Sequence, residues 1–252
     1  MIDLNGKVIL VTGGSRGIGA TIVNTVIAAG ARVVLHYGKS ISQAEAISTK
    51  LGDGRCHLVQ AFLEKPGEAR SLWKKSVAWL GRIDVLVNNA GVYEPAFIDD
   101  DFDTWAETWR HTLQINLIAV ADLCRDAIQH FRSHGGGIIV NMASRAAFRG
   151  DAPEYMGYAA SKGGMISLTR TIARGFAREG VLAYAIAPGS TATEMLEEYF
   201  ARNSREEVIR DIPIGDVVPA QEVANVVAFL ASGLARHATG TTIDLNGASY
   251  VR

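Results

Sequence analysis

Tyr158 and Lys162 stand four residues apart in the run Tyr158-Ala159-Ala160-Ser161-Lys162. On a helix that spacing brings a phenol and an ammonium onto one face, about 5–6 Å apart at their Cβ atoms. A free tyrosine, with a pKa of about 10, is a poor base near neutrality. Lowering that value by about three units requires about 4 kcal/mol of differential stabilisation of the phenolate. A cation about 4 Å away supplies about 1 kcal/mol in bulk water and about 4 kcal/mol at an effective dielectric near 20. The pair is therefore expected to do proton chemistry only where water is excluded; on an open surface it would be an ordinary polar pair. Ser144 follows the apolar run 137–143, and a strand-end hydroxyl there can donate to a substrate oxygen that gains negative charge. Tyr155 competes for the acid–base role but has no lysine four residues on; it is expected to line a substrate pocket instead.

A second constellation lies near the N-terminus. Thr12-Gly13-Gly14-Ser15-Arg16-Gly17-Ile18-Gly19 follows an apolar strand pattern and opens a helical one. Glycines in that place let the chain turn sharply and let a pyrophosphate approach the free N–H groups of the helix N-terminus. In nucleotide-binding α/β folds an Asp or Glu at the end of the second strand accepts from a ribose 2′-hydroxyl. Here that segment reads Leu35-His36-Tyr37-Gly38-Lys39-Ser40, with no acidic residue. Arg16, Lys39 and Ser40 are placed to meet a 2′-phosphate, so NADP(H) is expected over NAD(H).

These residues need a scaffold, and the hydrophobic pattern supplies one. Strand-like runs at 7–12, 32–37, 56–62, 83–88, 137–143, 181–187 and 241–245 alternate with helical stretches at 17–29, 41–51, 66–80, 104–132, 154–178 and 220–231. Most of the strands are apolar throughout, as expected for parallel strands buried on both faces. The alternation predicts one doubly wound Rossmann-type α/β domain over residues 1–252, with a mainly parallel seven-stranded sheet. A net charge of −1, with lysines and arginines dispersed, argues against nucleic-acid binding. No apolar stretch approaches the roughly 20 residues that span a bilayer, and the start shows no secretory pattern. Cys56 and Cys124 form no metal-ligand pattern, which fits a cytoplasmic protein.

The spacing Thr-Gly-x-x-x-Gly-x-Gly at 12–19, the Tyr158/Lys162 pair, Ser144 and the run Asn88-Asn89-Ala90-Gly91 together resemble the short-chain dehydrogenase/reductase family, in its branch of about 250 residues. The resemblance covers the whole chain. It implies that Asn116 is a fourth catalytic residue, holding a water that relays protons through Lys162. It further implies that Asn89, Ala90 and Gly91 touch the adenosine ribose. Pro188, Gly189 and Thr193, with Thr191 between them, would hold the nicotinamide carboxamide, while Ile18, Tyr37, Leu63, Tyr158 and Lys162 join the cofactor contacts. A homotetramer, or at least a homodimer, is also implied. Among substrates the chain resembles 3-oxoacyl-carrier-protein reductases and sugar or small-alcohol dehydrogenases alike, with an NAD-dependent alcohol or polyol dehydrogenase as the alternative.

Three departures stand out. Phe62 occupies the position where many members place an aspartate that holds the adenine; an aromatic ring can pack on adenine but cannot accept its amino hydrogen. The interval from Ser144 to Tyr158 is one residue longer than usual, with the surplus expected at 151–154. Thr191 stands where a branched aliphatic is common. Tyr93, Arg145, Phe148, Tyr155, Met195, Leu196 and Phe200 are the candidate substrate-pocket residues, under a lid at 191–213. Arg145 either meets an anionic substrate or pairs with Asp151 or Glu154. His130 and His134 read as a solvated helix end rather than a metal site, and the aspartates at 99–103 read as helix N-capping. A cofactor-sensing protein without turnover is the competing class; the intact Asn116, Ser144, Tyr158 and Lys162 set argues against it.

Overall fold

In the computed structural model, which describes residues 2–52, 54–200 and 204–252, seven parallel strands form one sheet in the order β3-β2-β1-β4-β5-β6-β7. They are β1 (Val8–Val11), β2 (Arg32–Tyr37), β3 (Cys56–Gln60), β4 (Val85–Asn88), β5 (Gly137–Met142), β6 (Val181–Pro188) and β7 (Thr242–Leu245). Their side chains alternate between two cores, which explains why the strands read as unbroken apolar runs. Ile9 and Val11 pack with Ile22 and Val26 of α1 (Gly17–Ala28) and with Val223 and Val227 of α10 (Ala220–Ser232). Val8 and Leu10 face the other way, toward Leu72 of α3 (Glu68–Leu80), Leu123 of α5 (Ala119–Ser133) and Met165 of α7 (Met156–Phe176). Helix α2 (Ile41–Leu51) joins β2 to β3.

The sheet order reverses at β1, which has β2 on one side and β4 on the other. Connections leaving β1 and β4 therefore run to opposite faces and open a crevice at the strands' C-terminal ends, where ligands bind in such folds.

Three elements differ from the pattern read in the sequence. The stretch expected as one helix at 104–132 is α4 (Phe102–Leu113) and α5 separated by a π-helical turn, Gln114–Ile118. Hydrophobic periodicity runs through such a turn almost unchanged, so only hydrogen bonding reveals it. Asp101 caps α4 by accepting the Thr104 N–H at 3.0 Å. The helix expected from 154 begins at Met156, because Pro153–Tyr155 forms a 3₁₀ turn. Between β6 and α10 the chain forms two short helices, α8 (Glu194–Phe200) and α9 (Arg205–Arg210). A parallel bridge between Thr191 and Val218 closes the base of this excursion.

Candidate active site

The turn after β1 is clamped before any ligand arrives. The Thr12 hydroxyl oxygen accepts the N–H groups of Asn89 and Ala90, each at 2.9 Å. Asn89 Nδ2 returns two bonds, to the carbonyls of Thr12 (2.9 Å) and Gly13 (3.2 Å). The ends of β1 and β4 are thus stitched together, which accounts physically for Asn89 beside the glycine turn. Behind them, buried Asn88 donates to Asn141 Oδ1 at 2.8 Å, and Asn141 donates to Thr169 Oγ1 at 2.8 Å. Gly19 packs against this clamp so closely that a Cβ on it would lie 2.0 Å from the Gly13 carbonyl oxygen.

His36 completes the clamp from the other side. Its Nδ1 accepts the Gly13 N–H at 3.0 Å, its Nε2 faces the Ala61 carbonyl at 3.1 Å, and its own carbonyl accepts the Gly14 N–H at 2.9 Å. These contacts require the neutral tautomer with the proton on Nε2. Burial lowers its pKa from 6.5 to about 4, against a smaller upward pull from the Ala61 carbonyl. Between those two values the unfolded chain binds more protons than the folded one. Stability is therefore expected to fall by about 3 kcal/mol as pH drops from about 6.5 to about 4. Urea midpoints measured across that window should show the loss. His36→Asn, whose Oδ1 can still accept the Gly13 N–H, should flatten it; parallel curves for the two proteins would refute the assignment.

Above the turn lies a cavity of about 750 Å³, and most of the residues singled out in the sequence line it. The glycine turn contributes Gly13, Ser15, Arg16, Gly17, Ile18 and Gly19; the end of β2 contributes Lys39 and Ser40. Leu63, Asn89, Ala90, Gly91, Pro188, Gly189, Thr191 and Thr193 form further wall. These residues fit a dinucleotide. The first turn of α1 carries no side-chain cap, leaving its N–H groups for an anion, and the close Gly19 packing keeps the main chain open there. Arg16 reaches over the cavity to Glu194 at 3.6 Å.

Two residues expected at the cofactor are not on the wall. Tyr37 alternates with His36 along β2, so His36 faces the cavity and Tyr37 packs into the core. Phe62 is likewise turned away: its ring lies under Lys65 Nζ, 5.0 Å from the centroid, and its N–H donates to Glu68 Oε2. Ala61, Leu63 and Glu64 line the cavity in its place, so Phe62 is not set to stack on an adenine.

At the far end of the cavity Ser144, Tyr158 and Lys162 converge. Lys162 is buried, lies 5.6 Å from the centre of the Tyr158 ring, and donates to the Met142 carbonyl at 2.7 Å. Asn116 sits in the π turn, fully buried. Its amide pairs with Val92 in both directions, at 2.9 and 3.0 Å, and donates to Ser161 Oγ at 3.2 Å. Gly91 fills the gap between them: a Cβ there would stand 3.2 Å from Asn116 Oδ1 and 3.5 Å from Lys162 Nζ.

The electrostatics differ from the simple pair read in the sequence. The Tyr158 ring is half-buried at the cleft, yet the dense protein around its hydroxyl pushes the pKa up to about 12, with burial as the main cause. The Ser144 hydrogen bond pulls it back down, and Asp151 adds a smaller upward push. Burial lowers Lys162 to about 8. The expected lowering of the phenol by Lys162 is therefore absent in the protein alone. The lysine is spending its charge on a main-chain carbonyl, and desolvation outweighs a cation at this distance.

The substrate end is only partly as expected. Tyr93, Arg145 and Leu196 line the cavity. Tyr93 donates to Asp151 Oδ1 at 3.3 Å and stands edge-on to Tyr158, ring centres 4.7 Å apart. Tyr155 lies behind Tyr93, stacked at 3.8 Å, off the cavity wall. Phe148 stacks on Tyr250 under the Arg252 guanidinium, while Arg145, just before the single-turn helix α6 (Ala146–Arg149), and Arg149, at its end, line the cavity. Phe200 packs under Arg205, and its neighbour Tyr199 lines the cavity instead. The Met195 side chain lies outside the described residues. Sequence reading missed His36, Glu94, His111, Arg149, Tyr199 and Asp211, all of which line the cavity. A helical spacing of four from Arg145 could have pointed to Arg149; nothing local marks the others.

Comparison with known proteins agrees with this geometry. A family model described as enoyl-(acyl carrier protein) reductase matches residues 13–247. The chain is 34% identical to the 3-oxoacyl-(acyl-carrier-protein) reductase FabG of Escherichia coli (strain K12), over 99% of this chain and all of that one. Among solved structures it is similar to a blue fluorescent protein from a metagenomic library in complex with NADPH, at a TM-score of 0.89 and 31% identity, covering 99% of this chain and 100% of that one. It is also similar to a 3-ketoacyl-(acyl-carrier-protein) reductase from Brucella melitensis complexed with NADH, at a TM-score of 0.88 and 27% identity, again over 99% and 100%. With the sheet order, the clamped glycine turn and the Ser144, Tyr158 and Lys162 cluster in one cavity, these matches mean that the chain belongs to the short-chain dehydrogenase/reductase family of oxidoreductases.

Proposed function

We propose that the chain is an NADP(H)-preferring oxidoreductase that moves a hydride between the nicotinamide and a carbonyl or secondary-alcohol carbon, with Tyr158 as acid and base. The observation that carries this reading is that one cavity joins the uncapped start of α1 to the Ser144, Tyr158 and Lys162 cluster. When bound, the nicotinamide supplies or takes up the hydride. In reduction, Tyr158 Oη gives its proton to the substrate oxygen as the carbonyl carbon gains the hydride, so the C=O becomes CH–OH. Ser144 Oγ donates to the same oxygen and steadies its charge. Lys162 supports the phenolate that forms, and a pKa of about 8 suits it to pass a proton back near neutral pH. Asn116 fixes the main chain at Val92 and keeps an Oδ1 lone pair for a relay water. Alcohol oxidation is the reverse. Burial keeps the phenol protonated near neutral pH, the form that reduction requires.

The cofactor preference rests on the end of β2, which carries no acid, and on Arg16, Lys39 and Ser40 along the cavity wall. NAD(H) is the second reading, favoured by Glu64 on that wall and by the engagement of Arg16 with Glu194. Thermal unfolding with NADPH, NADH, NADP and NAD at matched concentrations separates the two. A hundredfold excess over Kd should stabilise by about 2.7 kcal/mol, so NADPH is expected to raise Tm well above NADH. The reverse order would overturn the preference, and no shift with any of the four would overturn the dinucleotide reading.

The substrate is a 3-oxoacyl compound or a small ketone or sugar, covered in turnover by a lid at 191–213, of which 201–203 lie outside the described residues. Exposed Phe97, Ile98 and Phe102 support a homo-oligomer, dimer or tetramer.

A further inference from the structure

The substrate end of the cavity contains a cation with an unfilled donor. Arg145 follows Ser144 directly, and its N–H donates to the Pro188 carbonyl at 3.0 Å. The start of its side chain is thereby tied between Ser144 and the end of β6. The guanidinium is held rigidly, with its side chain only 14% exposed and Nη2 donating to Ser190 Oγ at 3.3 Å. Its Nη1 is buried and has no hydrogen-bond partner among the described residues. The nearest carboxylate, Asp211, stands 3.6 Å away, close enough to pair in charge but too far to accept a hydrogen bond. Arg149, one helical turn on, takes the same Asp211 oxygen as its partner. One half-exposed carboxylate therefore answers two guanidinium groups, and it satisfies only Arg149.

A buried guanidinium N–H without an acceptor is costly, so the arrangement is incomplete as it stands. A planar carboxylate entering from the cavity could accept from Arg145 Nη1 and share Arg149, the geometry for which arginine forks are suited. Charge supports the exchange. Arg145 and Arg149 face Asp151 and Asp211, so an incoming carboxylate is balanced if Asp211, already 52% exposed, swings out to solvent.

We propose that Arg145 and Arg149 bind a carboxylate of the substrate, and that Asp211 occupies its place until it arrives. This rests on the reductase reading above and narrows it: the substrate is a small oxo acid, or the matching hydroxy acid, whose carboxylate lies a few bonds from the reacting carbon. A neutral thioester or sugar would leave Arg145 Nη1 as it is.

The test compares NADPH-dependent reduction of acetoacetate and levulinate with that of their methyl esters. The acids are expected to exceed the esters in kcat/KM by roughly tenfold to hundredfold, the worth of a charged hydrogen bond. In Arg145→Leu that ratio should fall to near one, and in Asp211→Asn it should rise as KM for the acids drops. Esters reduced as well as the acids, or Asp211→Asn weakening the acids, would overturn the proposal and leave the reductase reading standing. Where none of the four turns over, calorimetric binding to the intact protein with NADP decides the inference independently of the reductase reading. Acid binding that Arg145→Leu abolishes upholds it; equal or absent binding of acid and ester overturns it.

Discussion

Tyr158→Phe is expected to lower kcat by roughly a thousandfold while leaving the rise in Tm caused by NADPH intact. The substitution removes one oxygen and keeps the ring, which packs edge-on to Tyr93 at 4.7 Å. The hydroxyl's partner, Ser144, still accepts the Ala146 N–H at 3.2 Å, so little stability should be lost. The proton, in contrast, has no good substitute source, since the Ser144 hydroxyl that donates to the substrate oxygen is a much weaker acid than a phenol. Lys162 is directed to the Met142 carbonyl, and the Tyr93 hydroxyl is held by Asp151. In the intact protein the reduction rate should also decline as pH rises past about 8, where Lys162 loses its proton. A variant that keeps kcat within tenfold of the parent would remove Tyr158 from the mechanism. A variant that loses cofactor stabilisation as well would mean that the phenol serves binding.

The second large effect is expected at Gly19. Gly19→Ala would put a Cβ 2.0 Å from the Gly13 carbonyl oxygen and 2.6 Å from Asn89 Nδ2. Neither can retreat, since the Gly13 N–H is bound to His36 and its carbonyl to Asn89. Overpacking of a rigid site typically costs 1–3 kcal/mol, and with the Gly13 main chain and a hydrogen-bonded Asn89 amide as neighbours the upper end, about 3 kcal/mol or more, applies. Gly175→Ala is the matched control, because nothing lies within 4 Å of a Cβ there and the residue sits inside α7. It should stabilise by up to about 1 kcal/mol. Denaturant midpoints measure both, and the NADPH shift in Tm should vanish for Gly19→Ala alone. Equal stability of the two variants would show that the turn yields, and that the clamp is not what holds the phosphate end.

Much of this molecule is legible in its sequence alone. Runs such as Val8–Val11 and Val181–Pro188 are apolar at every position because both faces of a parallel sheet are covered, and few other structures ask for that pattern. The glycine turn and the Tyr158/Lys162 spacing are local, so their reading depends on no distant contact. The π turn at Gln114–Ile118 was hidden because it changes hydrogen bonding without changing periodicity. Tyr37 and Phe62 read as cofactor contacts because position along the chain is easier to read than the face a side chain takes. His36 was passed over for the same reason, although it alone among the three lines the cavity.

The sequence by itself determined the sheet, the glycine turn after β1 and the Tyr158/Lys162 spacing, since each is written in residues close together or in a repeating pattern. Only the tertiary structure decided what those groups can do. Burial sets Tyr158 at about 12 and Lys162 at about 8, and burial depends on every chain segment packed around the cavity. Asp211 meets Arg145 across 65 intervening positions, a pairing that no local spacing encodes. Desolvation and long-range charge contacts belong to the folded surface as a whole, and they are what separate a recognisable motif from a working site.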